Sequence, residues 1–414
     1  MDDANCTNDP ARDPRADAEA SATGADADGN EIAIRVVQSI DEVPAEDWDA
    51  CAVPDPATAN PFVRHAFLKA LEDARTVTSR TGWMPHHLML TEGERVIGCA
   101  PAYLKSHSQG EYIFDYGWAD AYERAGGRYY PKLQVAVPFT PVPGPRLLVR
   151  PGPEADDHRA FLGAGIAEIA KRNGLSSSHI TFLSEREWRL LSGQGYLQRV
   201  DQQFHWLNDG YATFDDFLAA LSSRKRKSIR KERREAVQAG LDIVWLRGAD
   251  ITEADWDAFY EFYQDTGSRK WGRPYLNRPF FTALHEAMPD DCLLVLARRD
   301  GKAVAGALNL IGGDCLYGRY WGAVEHHPCL HFEICYYQAI DFAIEHGLAR
   351  VEAGAQGEHK LARGYMPMPT YSAHWICDTG FREAVSDYLE REREHADYAR
   401  EALAAYAPFK KSND

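Results

Sequence analysis

The sequence contains no run of 18 apolar residues, so no membrane-spanning helix is expected. It has no CxxC pair. Its eight cysteines (Cys6, Cys51, Cys99, Cys292, Cys315, Cys329, Cys335 and Cys377) are scattered, which suits buried or incidental thiols in a reducing compartment. Residues 2–31 carry no apolar stretch and are acidic rather than basic, so no signal peptide is expected and the cytoplasm is the expected location. Positive charge is in deficit. Against 62 acidic side chains stand 46 basic ones, a net of -16, which excludes a globally basic nucleic-acid binder and leaves room for a local basic patch. Neither GxxxxGK[ST] nor GxGxxG occurs, and there is no Ser-His-Asp order, which argues against nucleoside-triphosphate hydrolysis and dinucleotide redox chemistry.

What is present is a chain of 414 residues, 45% apolar and 11% aromatic, long enough for two to three domains with cores of their own. Residues 1–31, with nine acids, two bases and no aromatic, read as an acidic tail outside the fold. Beyond it the texture is α/β. IAIRVVQSI reads as a strand, 62–74 as an amphipathic helix, and 87–105 as a hairpin turning at Glu92-Gly93. After a long aromatic insert, 161–175 reads as a helix and 179–183 as a strand. The same order returns downstream: a hairpin over 292–312, a strand over 315–323, a helix over 332–348 and a strand over 349–354. Val96-Ile97-Gly98 answers Val304-Ala305-Gly306, and Gly174-Leu175 answers Gly347-Leu348, so two copies of one unit are expected.

Between the copies, Thr213 to Asp216 and Thr252 to Asp255 form capping boxes that open helices. The first leads into a basic helix over 213–240. Within it Arg224, Lys225, Arg226, Lys227, Arg230, Lys231, Arg233 and Arg234 face a single Glu232, a net of +7 in 11 residues. That density favours an anionic partner: tRNA, the phosphopantetheine of an acyl carrier, a nucleotide-sugar pyrophosphate or an anionic membrane surface. Residues 381–405 read as a charged helix.

The stretch LSSRKRKSIRKERREAVQAGL resembles the basic helix of Fem-type peptidoglycan ligases. The runs GEYIFDYGWADAYERAGGRYYPKL, PFTPVPGPR, LHFEICYYQAIDFAIEHGL and VEAGAQGEHKLARGY are similar to FemAB-like N-acyltransferases, the peptidoglycan biosynthesis/recognition proteins. The resemblance covers about 35–408. It implies an α/β (α+β) chain of two tandem GNAT-like acyltransferase domains with mixed central sheets and a helical element between them. The expected limits are 32–206 and 207–408, with 409–414 as a second tail. It also implies a donor held between two splayed central strands, here 303–310 and 315–323, with a backbone N–H polarising the carbonyl. The phosphate loop of acetyl-CoA enzymes is missing: Arg319-Tyr-Trp-Gly322-Ala-Val324 is the nearest string. No tightly bound cofactor is expected. Acyl-CoA, an acyl carrier protein or aminoacyl-tRNA are the possible donors, and the acceptor is a small-molecule or lipid-linked amine.

Acyl transfer needs a base for the amine, polarisation of the carbonyl, a proton for the leaving group and a grip on the donor. At the end of the strand at 349–354, Glu352, Gln356, His359, Lys360, Arg363 and Tyr365 fall where α/β sheets place ligands. There Arg363 suits a phosphate or carboxylate and Lys360 an oxyanion. Glu333 or His331, at the mouth of a helix, can assist the acceptor amine. The His326, His327, Cys329, His331, Glu333 group fits no zinc spacing, and no metal is expected. In the aromatic insert, Lys105, His107, Glu111, Asp115, Trp118, Tyr130 and Lys132 suit a binding loop for a sugar, peptide or head group. Arg224, Lys225, Arg226, Lys227 and Arg230 are the candidate anion-binding residues. The leading expectation is an N-acyltransferase. The alternatives are an aminoacyl-tRNA-dependent ligase of cell-wall precursors and a non-catalytic glycan- or peptide-binding protein. No DNA partner is expected.

Overall fold

The computed structural model describes residues 22–25, 31–238, 240–270, 274–355 and 357–410. Its strands are β1 (Ala22–Ala25), β2 (Glu31–Val37), β3 (Trp83–Pro85), β4 (His87–Glu92), β5 (Arg95–Ala100), β6 (Ala102–Lys105), β7 (Lys132–Val135) and β8 (Leu148–Val149). They continue as β9 (Ser177–Leu183), β10 (Leu197–Leu207), β11 (Asp242–Arg247), β12 (Cys292–Arg299), β13 (Lys302–Gly312), β14 (Cys315–Ala323), β15 (Arg350–Glu352) and β16 (Met366–Ile376). The helices are α1 (Ala45–Ala52), α2 (His65–Asp73), α3 (Tyr116–Arg124), α4 (Ala155–Arg172), α5 (Glu185–Ser192), α6 (Phe214–Ala220), α7 (Ser223–Val237), α8 (Glu253–Lys270) and α9 (Arg278–Ala287). Three contiguous segments make α10: Leu330–Phe332, a π turn at Glu333–Tyr337, and Gln338–Glu345. The last helix is α11 (Thr379–Ala405).

The repeat is real and longer than the sequence shows. Each half runs strand, two helices, hairpin, strand, helix, strand: β2, α1, α2, β4, β5, β7, α4, β9, and then β11, α8, α9, β12, β13, β14, α10, β15. In each half the last two strands are parallel, β7 with β9 and β14 with β15. A covering helix joins each pair, as parallel strands require. The halves are then interlocked by exchange. The strand that follows the first unit, β10, pairs with β15 of the second, while the strand that follows the second, β16, pairs with β9 of the first. Because β10 and β16 also pair with each other, one mixed sheet of eleven strands runs through both halves in the order β11-β12-β13-β14-β15-β10-β16-β9-β7-β6-β3. A five-stranded sheet, β1-β2-β4-β5-β8, stands apart. The chain crosses between the sheets at Pro101, between β5 and β6; without an N–H, proline cannot continue a ladder. The expected mixed α/β architecture with helices α6 and α7 between the halves is present. The division at 206/207 falls on the last residues of β10.

Four expectations change in detail. Ala22–Ala25 of the acidic tail pairs with Ala33 and its neighbours in β2, so this piece of the tail joins the fold; residues 1–21 and 26–30 lie outside the described residues. At the other terminus, Phe409 bridges Leu221. The single basic helix is two, α6 and α7, because Leu221 leaves helical geometry. The strands named as splayed, β13 and β14, pair along their whole length from Gly312↔Cys315 to Ala305↔Ala323. The pair that parts is β14 with β15.

Candidate active site

β14 and β15 share only three register pairs, Cys315↔Arg350, Leu316↔Val351 and Tyr317↔Glu352. Past Tyr317, β14 runs on to Ala323 beside β13, while the chain after Glu352 turns away. At that point β14 carries a bulge. Leu308 faces Tyr320 and Asn309 faces Gly318, so Arg319 is the extra residue. A bulge re-aims the backbone locally and is common beside active sites. In the first half the corresponding parting, beyond Val135 and Ile180, is closed by its own chain. Gly144 N–H donates to Phe182 O at 2.9 Å, and the fully buried Arg146 holds the Val142, Gly144 and Pro145 carbonyls at 2.5–3.2 Å. In the second half no returning segment closes the fork among the described residues; one side chain fills it, that of Arg319, which is 1% exposed.

Arg319 sits in the fork. Its guanidinium donates to Gly318 O, Glu352 O and Glu352 Oε2 at 3.0–3.3 Å and lies over Phe62 of the first half, 5.1 Å from the ring centroid. Arg319 Nε and Asn309 Oδ1 are buried there without protein partners among the described residues, and such groups mark a place where a polar ligand atom or water belongs. The turn beyond β15 is organised by Lys360, whose Nζ donates to Ala353 O at 2.7 Å, Gly354 O at 3.0 Å and Ala355 O at 3.2 Å. An ammonium has three donors, and here each is aimed at a carbonyl. Burial, with Arg319 nearby, pushes Lys360 down to about 7, and the carbonyls act in the opposite sense by favouring the protonated form.

Beside the fork lies an aromatic and imidazole cluster. Trp321 of β14 meets His331 edge-on at 5.2 Å, His331 meets Tyr336 at 5.4 Å, and His359 Nε2 is 2.9 Å from Tyr336 OH. Arg363 lies 3.4 Å over the Phe332 ring, donates to His359 O at 2.8 Å and pairs with Glu232 of α7 at 3.0 Å. His359 is exposed, whereas Lys360 and Tyr365 are buried; Tyr365 OH donates to Tyr336 O at 3.2 Å. Tyr336 lies in the π turn, a form of helix that recurs at functional sites. Gln356 lies outside the described residues.

The other sequence-derived candidates separate into four places. Glu352 is buried in the fork on Arg319. Glu333 is 2% exposed and clamped by Arg233 at 2.8 Å and Gln338 at 2.8 Å, which ties α7 to α10. Of the insert residues, Lys105, Glu111, Asp115 and Lys132 form a buried network in the first half, with His107 and Tyr130 half-buried at its edge. Lys132 Nζ reaches Ser108 Oγ and Glu111 at 2.8 Å and Asp115 at 2.5 Å. Lys105 lies 3.6 Å over the Trp83 ring and 3.7 Å from Glu111. Tyr130 OH is 2.8 Å from Ser108 Oγ, His107 Nε2 is 3.0 Å from Thr81 O, and Trp118 packs edge-on against His374 at 4.9 Å. Burial pushes Lys105 down to about 7 and Glu111 up to about 7. The insert instead shows solvent Phe114 and Tyr116, stacked at 6.0 Å. Arg224, Lys225, Arg226, Lys227 and Arg230 lie on α7, where only Arg230 of the five has an acid partner among the described residues, Asp215 at 2.9 Å. Sequence reasoning missed Tyr336, Phe332, Trp321 and the Arg319 bulge; the pair of tyrosines on α10 was the one available signal.

Among the described residues no three His, Cys, Asp or Glu side chains are grouped to hold a metal ion, and no helix is long and apolar enough to cross a membrane.

No protein of curated function matches the sequence. Among solved structures, FemX is similar at a TM-score of 0.52 and 13% identity, over 83% of this chain and 98% of that one. A tandem GNAT protein from the clavulanic acid biosynthesis pathway is similar at 0.44 and 12%, over 84% and 99%. L-PGS from Bacillus licheniformis follows at 0.47 and 9%, over 80% and 98%. At 13% identity the likeness to FemX concerns the fold. The family assignment rests on sequence: over residues 39–411 the chain matches the model described as peptidoglycan biosynthesis/recognition, and it belongs to that FemAB-like family.

Proposed function

We propose that the chain is an N-acyltransferase that moves an acyl or aminoacyl group from an activated donor to an amine of a cell-envelope precursor, and that the reaction takes place where β14 and β15 part. The observation that carries this reading is the contrast between the two halves: a parallel pair closed by its own chain and Arg146 in the first, and in the second a bulged pair filled by the Arg319 side chain, beside the partnerless Asn309 Oδ1, under a His–Tyr cluster. The donor's carbonyl lies along the free side of β14, with the bulge backbone at Arg319 polarising it. The amine nitrogen bonds to the carbonyl carbon as the bond to the leaving oxygen or sulfur breaks. His359, oriented by Tyr336 OH, takes the amine proton and returns it to the leaving group. Lys360 holds the turn that shapes the fork and acts as a positioning residue. Arg363, stacked on Phe332, faces the anionic part of a substrate.

A second reading, recognition without catalysis, has one observation in its favour: the exposed Phe114–Tyr116 stack is the kind of surface that holds a sugar ring or peptide. One experiment separates the two. Purified chain is incubated with acyl-CoA, acyl carrier or aminoacyl-tRNA donors and a muropeptide or amine acceptor, and amide products are sought by mass spectrometry. Product that disappears in His359→Ala and falls at least tenfold in Tyr336→Phe supports transfer. Muropeptide binding that is lost in Phe114→Ala/Tyr116→Ala, with no amide formed from any donor, replaces it with recognition.

A further inference from the structure

α7 turns four residues inward and four outward. Ile229 and Ala236 are buried, while Glu232 and Arg233 reach Arg363, Tyr337, Glu333 and Asp341 around the fork. On the opposite face Arg224, Lys227, Lys231 and Arg234 are exposed, and none makes an ion pair with a described acid. Their spacing of three, four and three residues sets them in one stripe, about 15 Å long at the helical rise of about 1.5 Å per residue. Beside the stripe, between α6 and α7, runs an open groove of about 500 Å³. Its floor is apolar: Leu218 is buried, and Phe214 lies 4.4 Å beneath the Arg233 guanidinium. Its rim is Thr213 and Asp215 on one side and Arg230 and Arg234 on the other, with Arg230 and Asp215 paired across it at 2.9 Å, an exposed bridge that a docked helix has to displace.

We propose that this stripe and groove dock an acidic amphipathic helix of a carrier protein, which delivers the acyl group to the fork as a thioester on a flexible arm. The proposal rests on the transferase reading above and names its donor. An amphipathic helix offers apolar side chains at i, i+3, i+4 and i+7 to a groove and acids beside them to a row of cations. The patch is one helix face wide. Asp215, Asp216 and Glu235 flank it, and the chain outside α7 is strongly acidic. A broad polyanion would overhang those acids. A membrane surface would find no apolar side chain on the outward stripe to insert. The inward face of the same helix grips the π turn and Arg363, so the docked carrier stands one helix thickness from the fork. Transfer then balances simply. The amine's N–C bond forms, the thioester C–S bond breaks, and the carrier's thiol leaves with the proton the amine gives up.

The test uses the full chain and the acyl carrier proteins encoded in the same genome, acylated and free, with binding followed by calorimetry. A carrier that binds, that weakens at least tenfold in Lys227→Glu/Lys231→Glu/Arg234→Glu, that is unaffected by Arg128→Glu in the first half, and that is lost as salt rises supports the proposal. The melting transition of the triple variant confirms that it folds. Failure of every carrier to bind, or carrier binding that the triple variant leaves unchanged, overturns it. So does a stripe that takes up tRNA or vesicles containing an anionic phospholipid while no carrier binds. A wild-type chain that forms amide from a small free thioester while no carrier binds sinks the docking proposal alone; a chain that binds the carrier but forms no amide from it sinks the transferase reading instead.

Discussion

His179 and His374 face each other Nδ1 to Nδ1 at 2.7 Å across the register pair that joins β9 to β16. One ring must donate and the other accept, so a second proton on either would set two N–H groups against each other. His374 Nε2 lies 2.9 Å from Ser372 Oγ, and His179 Nε2 lies 2.8 Å from Ser177 Oγ and 3.3 Å from Tyr129 OH. Burial, reinforced by Lys132, pushes His179 down to about 3, and His374 is also held well below its ordinary value. The pair is neutral when folded and free to protonate when unfolded. Its contribution is therefore complete above the unfolded value near 6.5 and is lost as pH falls from there toward 3. Each histidine adds up to about 1.4 kcal/mol per pH unit of slope in that window. Denaturant melts between pH 4 and 7 should show a shallower slope in His179→Gln/His374→Gln than in wild type; equal slopes would refute the neutral pair.

Lys360 and the three carbonyls it gathers make a second prediction. Lys360→Met leaves three half-buried carbonyls without their donor and should cost about 1–3 kcal/mol. Lys360→Arg should not restore the turn, because a planar guanidinium cannot converge on three carbonyls as an ammonium does. Transfer activity should fall at least tenfold in both. A Lys360→Met protein with wild-type melting and turnover would remove Lys360 from the site.

Arg233 joins α7 to α10 through Glu333 at 2.8 Å and Asp341 at 2.6 Å. Glu333 is 2% exposed, so Arg233→Ala strands a buried carboxylate and should cost about 3–5 kcal/mol. In Arg233→Met/Glu333→Met part of that loss should return, because the buried Glu333 carboxylate is gone and only the half-buried Asp341 loses its partner. A double-mutant cycle by chemical denaturation measures the coupling, and additive losses would show that the pair does not interact.

At Gly322, an added Cβ would lie 2.0 Å from the backbone oxygen of Phe262 in α8. Gly322→Ala must therefore push α8 from the outer half of β14, at about 1–3 kcal/mol. Gly306→Ala meets the movable Leu296 side chain at 2.7 Å and should cost less. Thermal melts of the two variants rank them, and the reverse order would contradict the packing.

The strand exchange predicts that the halves do not fold apart. A piece beginning at residue 207 leaves β15 without β10, and a piece ending at residue 206 leaves β9 without β16, so each exposes an unpaired sheet edge. Expressed separately, 1–206 and 207–414 should be insoluble or aggregate, and co-expression should yield one soluble complex. Two soluble, cooperatively melting fragments would show that the exchange is dispensable.

What the sequence determined by itself was local: apolar periodicity, the Thr213 and Thr252 caps, the Glu92-Gly93 turn and the recurrence of one unit were all legible. Each depends on residues a few positions apart. The FemAB-like resemblance was legible in the same way, as continuous strings. Tertiary structure alone decided which strands part, because β14 meets β15 only after the chain has returned through α10. It also decided that Lys360 spends its donors on its own turn and that Lys132, Glu111 and Asp115 close on one another inside the first half. The basic run had the same limit. Composition showed the charge, but only packing separates Arg233, which is consumed by buried acids, from Arg224, Lys227, Lys231 and Arg234, which are left facing outward. A pairing between distant segments is selected by the burial and hydrogen bonds it completes in the whole fold, and no local pattern carries that information.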